Sequence, residues 1–176
     1  MAKVKDQANR LYGAEEFSGI KYGKPLTLKE CQKFVDKVIS RKYVLEKYGS
    51  QAGRPIIVLD GRGRRRACAT FQYGRRAIKL PIWARTQYVI LHEVAHHLTH
   101  LDGHKPEFAS CLLDLVRHFL GKESVDALQG AFHLKGVKVV GKNGAVKARC
   151  PQSRKDWVIA QKKHQKEFKE KLAQIA

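Results

Sequence analysis

Long apolar runs are missing from this chain. Nowhere do about 18 consecutive apolar residues occur, so nothing in it is expected to span a membrane. The opening residues, Met-Ala-Lys-Val-Lys-Asp-Gln, lack the apolar core of a secretory signal. Cysteine is scarce as well. The four present, Cys31, Cys68, Cys111 and Cys150, are widely spaced and form no Cys-x-x-Cys pair, which argues against a zinc ribbon and a disulfide framework. Isolated thiols of this kind fit a reducing compartment, and the cytoplasm is the expected address. Acidic residues are few, 16 against 35 Lys and Arg, for a formal net charge of +19.

At 176 residues with 43% hydrophobic content, the chain can bury a core without covalent staples, and one globular domain with appendages is the simplest reading. The positive charge is unevenly spread. From Asp60 to Ile90 eight basic residues face one acidic; from Gly141 to Ala176 ten face three. Between them, Leu91 to Val140 is close to neutral, with five basic and six acidic residues. A near-neutral centre flanked by basic stretches is the usual footprint of a polyanionic partner, DNA or RNA first. Arg62, Arg64, Arg65 and Arg66 in one turn and Arg75 and Arg76 in another are the candidate phosphate contacts.

The neutral stretch contains Leu91-His92-Glu93-Val94-Ala95-His96-His97-Leu98. On an α-helix, residues four apart share a face, so His92 and His96 can aim both imidazoles at one point. Glu93 lies about 100° round the helix, beside that point. The spacing suits one zinc ion with two nitrogen ligands and a carboxylate over an activated water. A catalytic zinc usually takes three protein ligands. His97 faces about 100° away from His96, and His100 lies a further turn along the axis. His104 follows a glycine that permits a sharp reversal, and is favoured over Asp102 and Glu107 as the third ligand.

Around this motif the chain reads as α+β. Arg10–Glu15 has the look of a short strand or extended lead-in. Thr27-Leu28-Lys29-Glu30 is a capping box opening a helix that bends near Ser40 and ends near Gly49. Three strands follow, at Ile56–Leu59, Ala67–Tyr73 and Ala77–Trp83. Their short connections make them an antiparallel meander, with the two arginine-bearing turns at opposite ends of the sheet. Pro81 cannot donate to a ladder, so the third strand has one open side or ends there. After the motif helix, Pro106 starts another helix, and a further one runs from about Glu123 to His133. A short apolar run follows at Val137–Val140. Residues 141–176 form a basic extension in which Trp157–Ile175 could be helical.

His-Glu-x-x-His-His followed by His104-Lys105-Pro106-Glu107-Phe108 resembles the SprT-like zinc peptidases, whose motif is completed by the His of His-Gly-Pro-Glu-Phe. Lys105 stands where that pattern has Gly, and the intervening loop is shorter. The stretch from about Arg10 to Val140 is similar, more closely, to a family of small bacterial and phage-borne metallohydrolases. That resemblance implies a zincin-like fold for residues 1–140, with a small antiparallel sheet packed on an N-terminal helix and the active-site helix. It also implies one Zn2+ ion but no settled substrate; a protein or peptide substrate is what the SprT-like resemblance implies. In such chemistry His92, His96 and His104 hold the ion and Glu93 is the general base. An extended substrate would pair with the Ile78–Ile82 strand. Tyr88, His118 and His133 are candidates for the oxyanion donor. The alternative class is a basic nucleic-acid-binding protein on the same scaffold, with a non-catalytic metal.

Overall fold

In a computed structural model of the chain, residues 6–20, 23–101, 103–141 and 144–148 are described. The first element is a helix, α1 (Ala8–Ser18), which corrects the strand expected at Arg10–Glu15. Leu11, Ala14, Glu15 and Ser18 fall on one buried face, a 3–4 spacing, and Gly19 in the left-handed region closes the C-terminus. The apolar signal is thin because Glu15, a charged residue, occupies part of the buried face.

The capping box at Thr27 forms as expected. The Thr27 hydroxyl accepts from the Glu30 amide, and the Glu30 carboxylate accepts from the Thr27 amide. It opens α2 (Leu28–Ile39), which buries Cys31, Val35, Val38 and Ile39. After a bend at Ser40 come α3 (Lys42–Tyr48) and a one-turn 3-10 helix (Gly49–Gln51).

Three strands follow: β1 (Ile56–Asp60), β2 (Cys68–Gln72) and β3 (Arg75–Leu80). Their order is β1-β3-β2, and the sheet is mixed: β3 runs parallel to β1 and antiparallel to β2. The expected antiparallel meander is therefore wrong in its neighbours. Only β2 and β3 form a hairpin, through Tyr73-Gly74, whose φ values of 50° and 73° are those of a type I′ turn. The connection at 61–67 is long enough to pass the end of β3 and set β2 on its far side. That passage is tight. The Gly61 amide donates to the Leu80 carbonyl at 3.0 Å, and a Cβ at Gly61 would lie 2.5 Å from the Pro81 nitrogen. Arg85 fixes the crossing by pairing with Asp60 at 2.8 Å. Since β3 is central, it offers no open side to a substrate; the edge facing the motif helix belongs to β2.

Thr86 caps α4 (Gln87–Leu98), which carries the motif and is buried nearly all round. It packs against α2, β2, β3 and α5 (Pro106–Phe119), with Pro106 in the first turn of α5 as its sequence implied. Helix α6 (Gly121–Lys135) pairs with α1 and α5. A hairpin of β4 (Lys138–Gly141) and β5 (Gly144–Lys147) lies against α5; the fading periodicity after Lys142 concealed β5. This hairpin straddles position 140/141, and Trp157–Ile175 lies outside the described residues. Among those residues no helix is long and apolar enough to cross a membrane. The fold is α+β with a small three-stranded mixed sheet.

Candidate metal centre

Helix α4 places His92 and His96 one turn apart, with ring centroids 5.1 Å from each other. The chain leaves the helix through His100 and Leu101, both in the left-handed region, and then Gly103 at φ 70°. Three such residues within four positions reverse its direction and return His104 to the motif. The His104 Nε2 lies 3.3 Å from the His92 Nε2, and one ring nitrogen from each of His92, His96 and His104 falls within 4.8 Å of the others. Two nitrogens bound tetrahedrally at about 2.05 Å stand about 3.3 Å apart, so the His92–His104 spacing fits a shared zinc-sized ion. The three histidines are thus close enough to bind one metal ion. Glu107 is exposed on the first turn of α5 and outside the cluster, and Asp102 lies outside the described residues.

Glu15 reaches this cluster from α1. Its Oε1 accepts from His92 Nδ1 at 2.6 Å and from the Tyr88 hydroxyl at 2.7 Å, all three groups buried. A carboxylate on Nδ1 fixes the tautomer so that the Nε2 lone pair faces the other two imidazoles. Burial opposes charge on His92, but the Glu15 carboxylate and its hydrogen bond outweigh it and hold the imidazole above its ordinary pKa. The other two imidazoles go the opposite way. Burial, then the neighbouring His92, depresses His104 and pushes His96 down to about 2. Both are neutral, the form that binds metal. Asp6 supports His104, accepting from its backbone amide at 3.3 Å and lying 3.7 Å from its Nδ1. The Phe108 ring packs on all three imidazoles, with centroids 4.3 to 5.0 Å away.

Glu93 is 5% exposed. Burial is the main reason its carboxyl is raised above the usual range, and the Glu15 carboxylate adds to the effect; His92 and a hydrogen bond from the Ala69 amide of β2 act against it. That amide belongs to a position paired with Ile78 outside the hydrogen-bonded rungs of the hairpin, so the open edge of β2 runs past Glu93.

Beside His92 and Glu93 a cavity of about 290 Å³ opens between α1, the loop 61–67 and α4. Tyr12 stands in it, stacked on His92 at 5.9 Å and edge-on to His104 at 4.8 Å. Burial, then Glu15 and Glu93, pushes its phenol up to about 12, so it is a hydrogen-bond donor at neutral pH. Tyr12 and the candidate donor Tyr88 line this cavity; the candidates His118 and His133 do not. Tyr88 is committed to Glu15, His118 stacks on Tyr43 at 3.7 Å, and His133 Nδ1 meets the Ala148 carbonyl. His97 lies outside the three-histidine cluster, and its Nε2 bonds the Ala77 carbonyl at 3.0 Å.

The arginines separate into three groups. Arg62, Arg64 and Arg65 are exposed at one end of the sheet, Arg62 beside Asp60. Arg66 lines the cavity. At the other end Arg75 is exposed, but Arg76 is buried and holds the Gln51 carbonyl at 2.6 Å and the Gln51 side chain. Arg76 is thus a structural tie, and its expected role in binding nucleic acid is withdrawn.

Sequence reasoning missed Glu15, Tyr12 and Asp6. For the first two, the i, i+3 spacing of Tyr12 and Glu15 would have been a signal had α1 been read as a helix. No protein-family model, curated protein or solved structure matches this chain.

Proposed function

We propose that the protein is a zinc-dependent metallohydrolase, a peptidase of SprT-like character that works near nucleic acid. The observation that carries this reading is the buried Glu93 carboxylate set between the three-histidine cluster and a cavity. A purely structural metal site has no need of a carboxylate poised beside it.

His92, His96 and His104 would hold the ion. When bound, zinc supplies Lewis acidity, which lowers the pKa of water and polarises a carbonyl. Glu93 takes the proton of the attacking water as the C–O bond forms, and then delivers it to the amide nitrogen, so that the C–N bond breaks with a neutral amine leaving. Burial, which raises its carboxyl above the usual range, suits a group that must both accept and release a proton. Tyr12, a neutral phenol at the cavity, is the donor for the substrate carbonyl oxygen. An extended peptide pairs with the outer edge of β2, in place of the central β3. Arg62, Arg64, Arg65 and Arg75 bind DNA or RNA phosphates. The expected compartment is the cytoplasm, in keeping with free thiols at Cys31, Cys68 and Cys111.

Glu93→Gln tests the reading. The variant should keep wild-type zinc stoichiometry while casein or peptide cleavage, measured with and without DNA, falls by at least ~100-fold. Zinc-loaded wild type that cleaves nothing under either condition would instead favour a nucleic-acid-binding protein with a non-catalytic metal.

A further inference from the structure

We propose that Asp6 is a positioning residue of the metal centre: its carboxylate accepts from His104 Nδ1 and so aims the opposite ring nitrogen at the ion. This rests on the metal-binding half of the hydrolase reading and adds a residue to it. The need comes from His104 itself. Its Nε2 faces the Nε2 of His92 at 3.3 Å, so its Nδ1 points out of the cluster. That Nδ1 is buried and has no hydrogen-bond partner among the described residues. A buried ring nitrogen left so is costly, and a metal-ligating imidazole normally donates its second N–H to a carboxylate, carbonyl or water. The acidic group that faces it is Asp6, with Oδ1 3.7 Å away. About 0.8 Å of closing movement brings the pair to an ordinary hydrogen-bond length.

The surroundings permit that approach. Gly103, at φ 70°, leaves room for the carboxylate; a Cβ there would lie 2.9 Å from Asp6 Oδ2. Asp6 is also held in place. Its Oδ1 accepts from the Ala8 amide at 2.9 Å and from the His104 amide at 3.3 Å, which ties the start of α1 to the backbone of His104. The next residue, Gln7, is clamped to β4 at two points. Its Nε2 donates to the Lys138 carbonyl and its Oε1 accepts from the Lys138 amide, both at 2.8 Å. A strand outside the histidine cluster thus fixes where Asp6 stands. Glu15, on the same helix, already holds His92 Nδ1, so one short stretch, 6–15, orients two of the three imidazoles.

Asparagine separates positioning from capping, because it caps a helix as well as aspartate does but offers the imidazole a neutral acceptor. Zinc competition on the full chain should show Asp6→Asn binding ~10-fold more weakly than wild type, with the urea midpoint of the metal-free protein unchanged. Asp6→Ala should lose at least as much affinity and lower the midpoint too. Gln7→Ala should also weaken zinc binding, yet add nothing further in the Asp6→Ala background. In the zinc-loaded wild type the His104 Nδ1 proton should give a downfield NMR signal protected from exchange, and Asp6→Ala should lose it. Wild-type affinity in Asp6→Asn, or an Nδ1 signal that survives in Asp6→Ala, overturns the inference and leaves the metal centre and the hydrolase reading standing. A wild type that binds no zinc through His104 overturns it together with the metal centre. These measurements read zinc and the imidazole, so zinc-loaded protein that cleaves nothing sinks the hydrolase reading alone.

Discussion

Replacing Glu15 by Gln removes one negative charge from the centre of the site while keeping the shape of the side chain. In the wild type a single oxygen, Oε1, accepts from His92 Nδ1 at 2.6 Å and from the Tyr88 hydroxyl at 2.7 Å. A glutamine oxygen can still accept from Tyr88, but it gives His92 a neutral partner in place of a charged one. Loss of such a supporting carboxylate typically costs 10–100-fold in metal affinity, about 1.4–2.8 kcal/mol. Zinc competition against a chromogenic chelator at pH 8 should show that loss. The pH dependence separates an electrostatic role from simple damage. Glu15 is what raises the His92 pKa, so protons compete with zinc at higher pH in the wild type than in Glu15→Gln. The gap between the two proteins should narrow as pH falls from 8 towards 6. Tyr88→Phe, which leaves the carboxylate on His92, should lose less affinity and keep the wild-type pH profile. Wild-type affinity in Glu15→Gln, or a gap constant across that range, would refute the reasoning.

The basic surface and the buried imidazoles yield two further tests. Alanine at Arg62, Arg64 and Arg65 should weaken DNA or RNA binding and flatten the salt slope by roughly one unit for each phosphate no longer neutralised, measured by fluorescence anisotropy between low and moderate salt. Arg76→Ala should instead lower the urea midpoint while leaving the salt slope intact, since its guanidinium is spent on Gln51; the opposite pattern would restore it to the binding surface. In the metal-free fold, burial keeps His96, His97 and His104 below their ordinary pKa. The unfolded chain then binds more protons below pH ~6.5, and stability present above that pH is lost as pH falls, by up to ~1.4 kcal/mol per unit for each fully depressed group. His92, being raised, has the opposite sign: its contribution is present below ~6.5 and lost as pH rises through its folded value. Urea unfolding of metal-free protein from pH 7 to 4.5 should show a steep acid loss that His96→Asn reduces by up to ~1.4 kcal/mol per unit. An unchanged slope in that variant would count against the buried neutral His96.

Features encoded by short-range pattern were legible in the sequence, and those set by distant partners were not. His92 and His96 could be paired because helical periodicity alone puts them on one face. The Thr27 capping box and Pro106 announced helix starts through hydrogen-bonding and φ restrictions local to each. His104 followed from Gly103, although the extra left-handed turns at His100 and Leu101 had no sequence signal. The sheet order was hidden because β1 and β2 are neighbours in sequence while β3 lies between them in space. What permits that insertion is the backbone approach of Gly61 to Leu80 and Pro81, far along the chain. Helix α1 was misread for a related reason. Its buried face includes Glu15, whose partners Tyr88 and His92 lie more than 70 residues downstream, so the residue that joins the helix to the site also blurs its amphipathic pattern.

The central claim, that His92, His96 and His104 jointly hold one ion beside Glu93, is tested most directly by X-ray absorption on the zinc-loaded protein. The expected spectrum has three imidazole nitrogens and one light-atom ligand at about 2.0–2.1 Å, with one imidazole fewer in His104→Ala. A bound zinc with sulfur ligands, or a spectrum unaltered in His104→Ala, would contradict it.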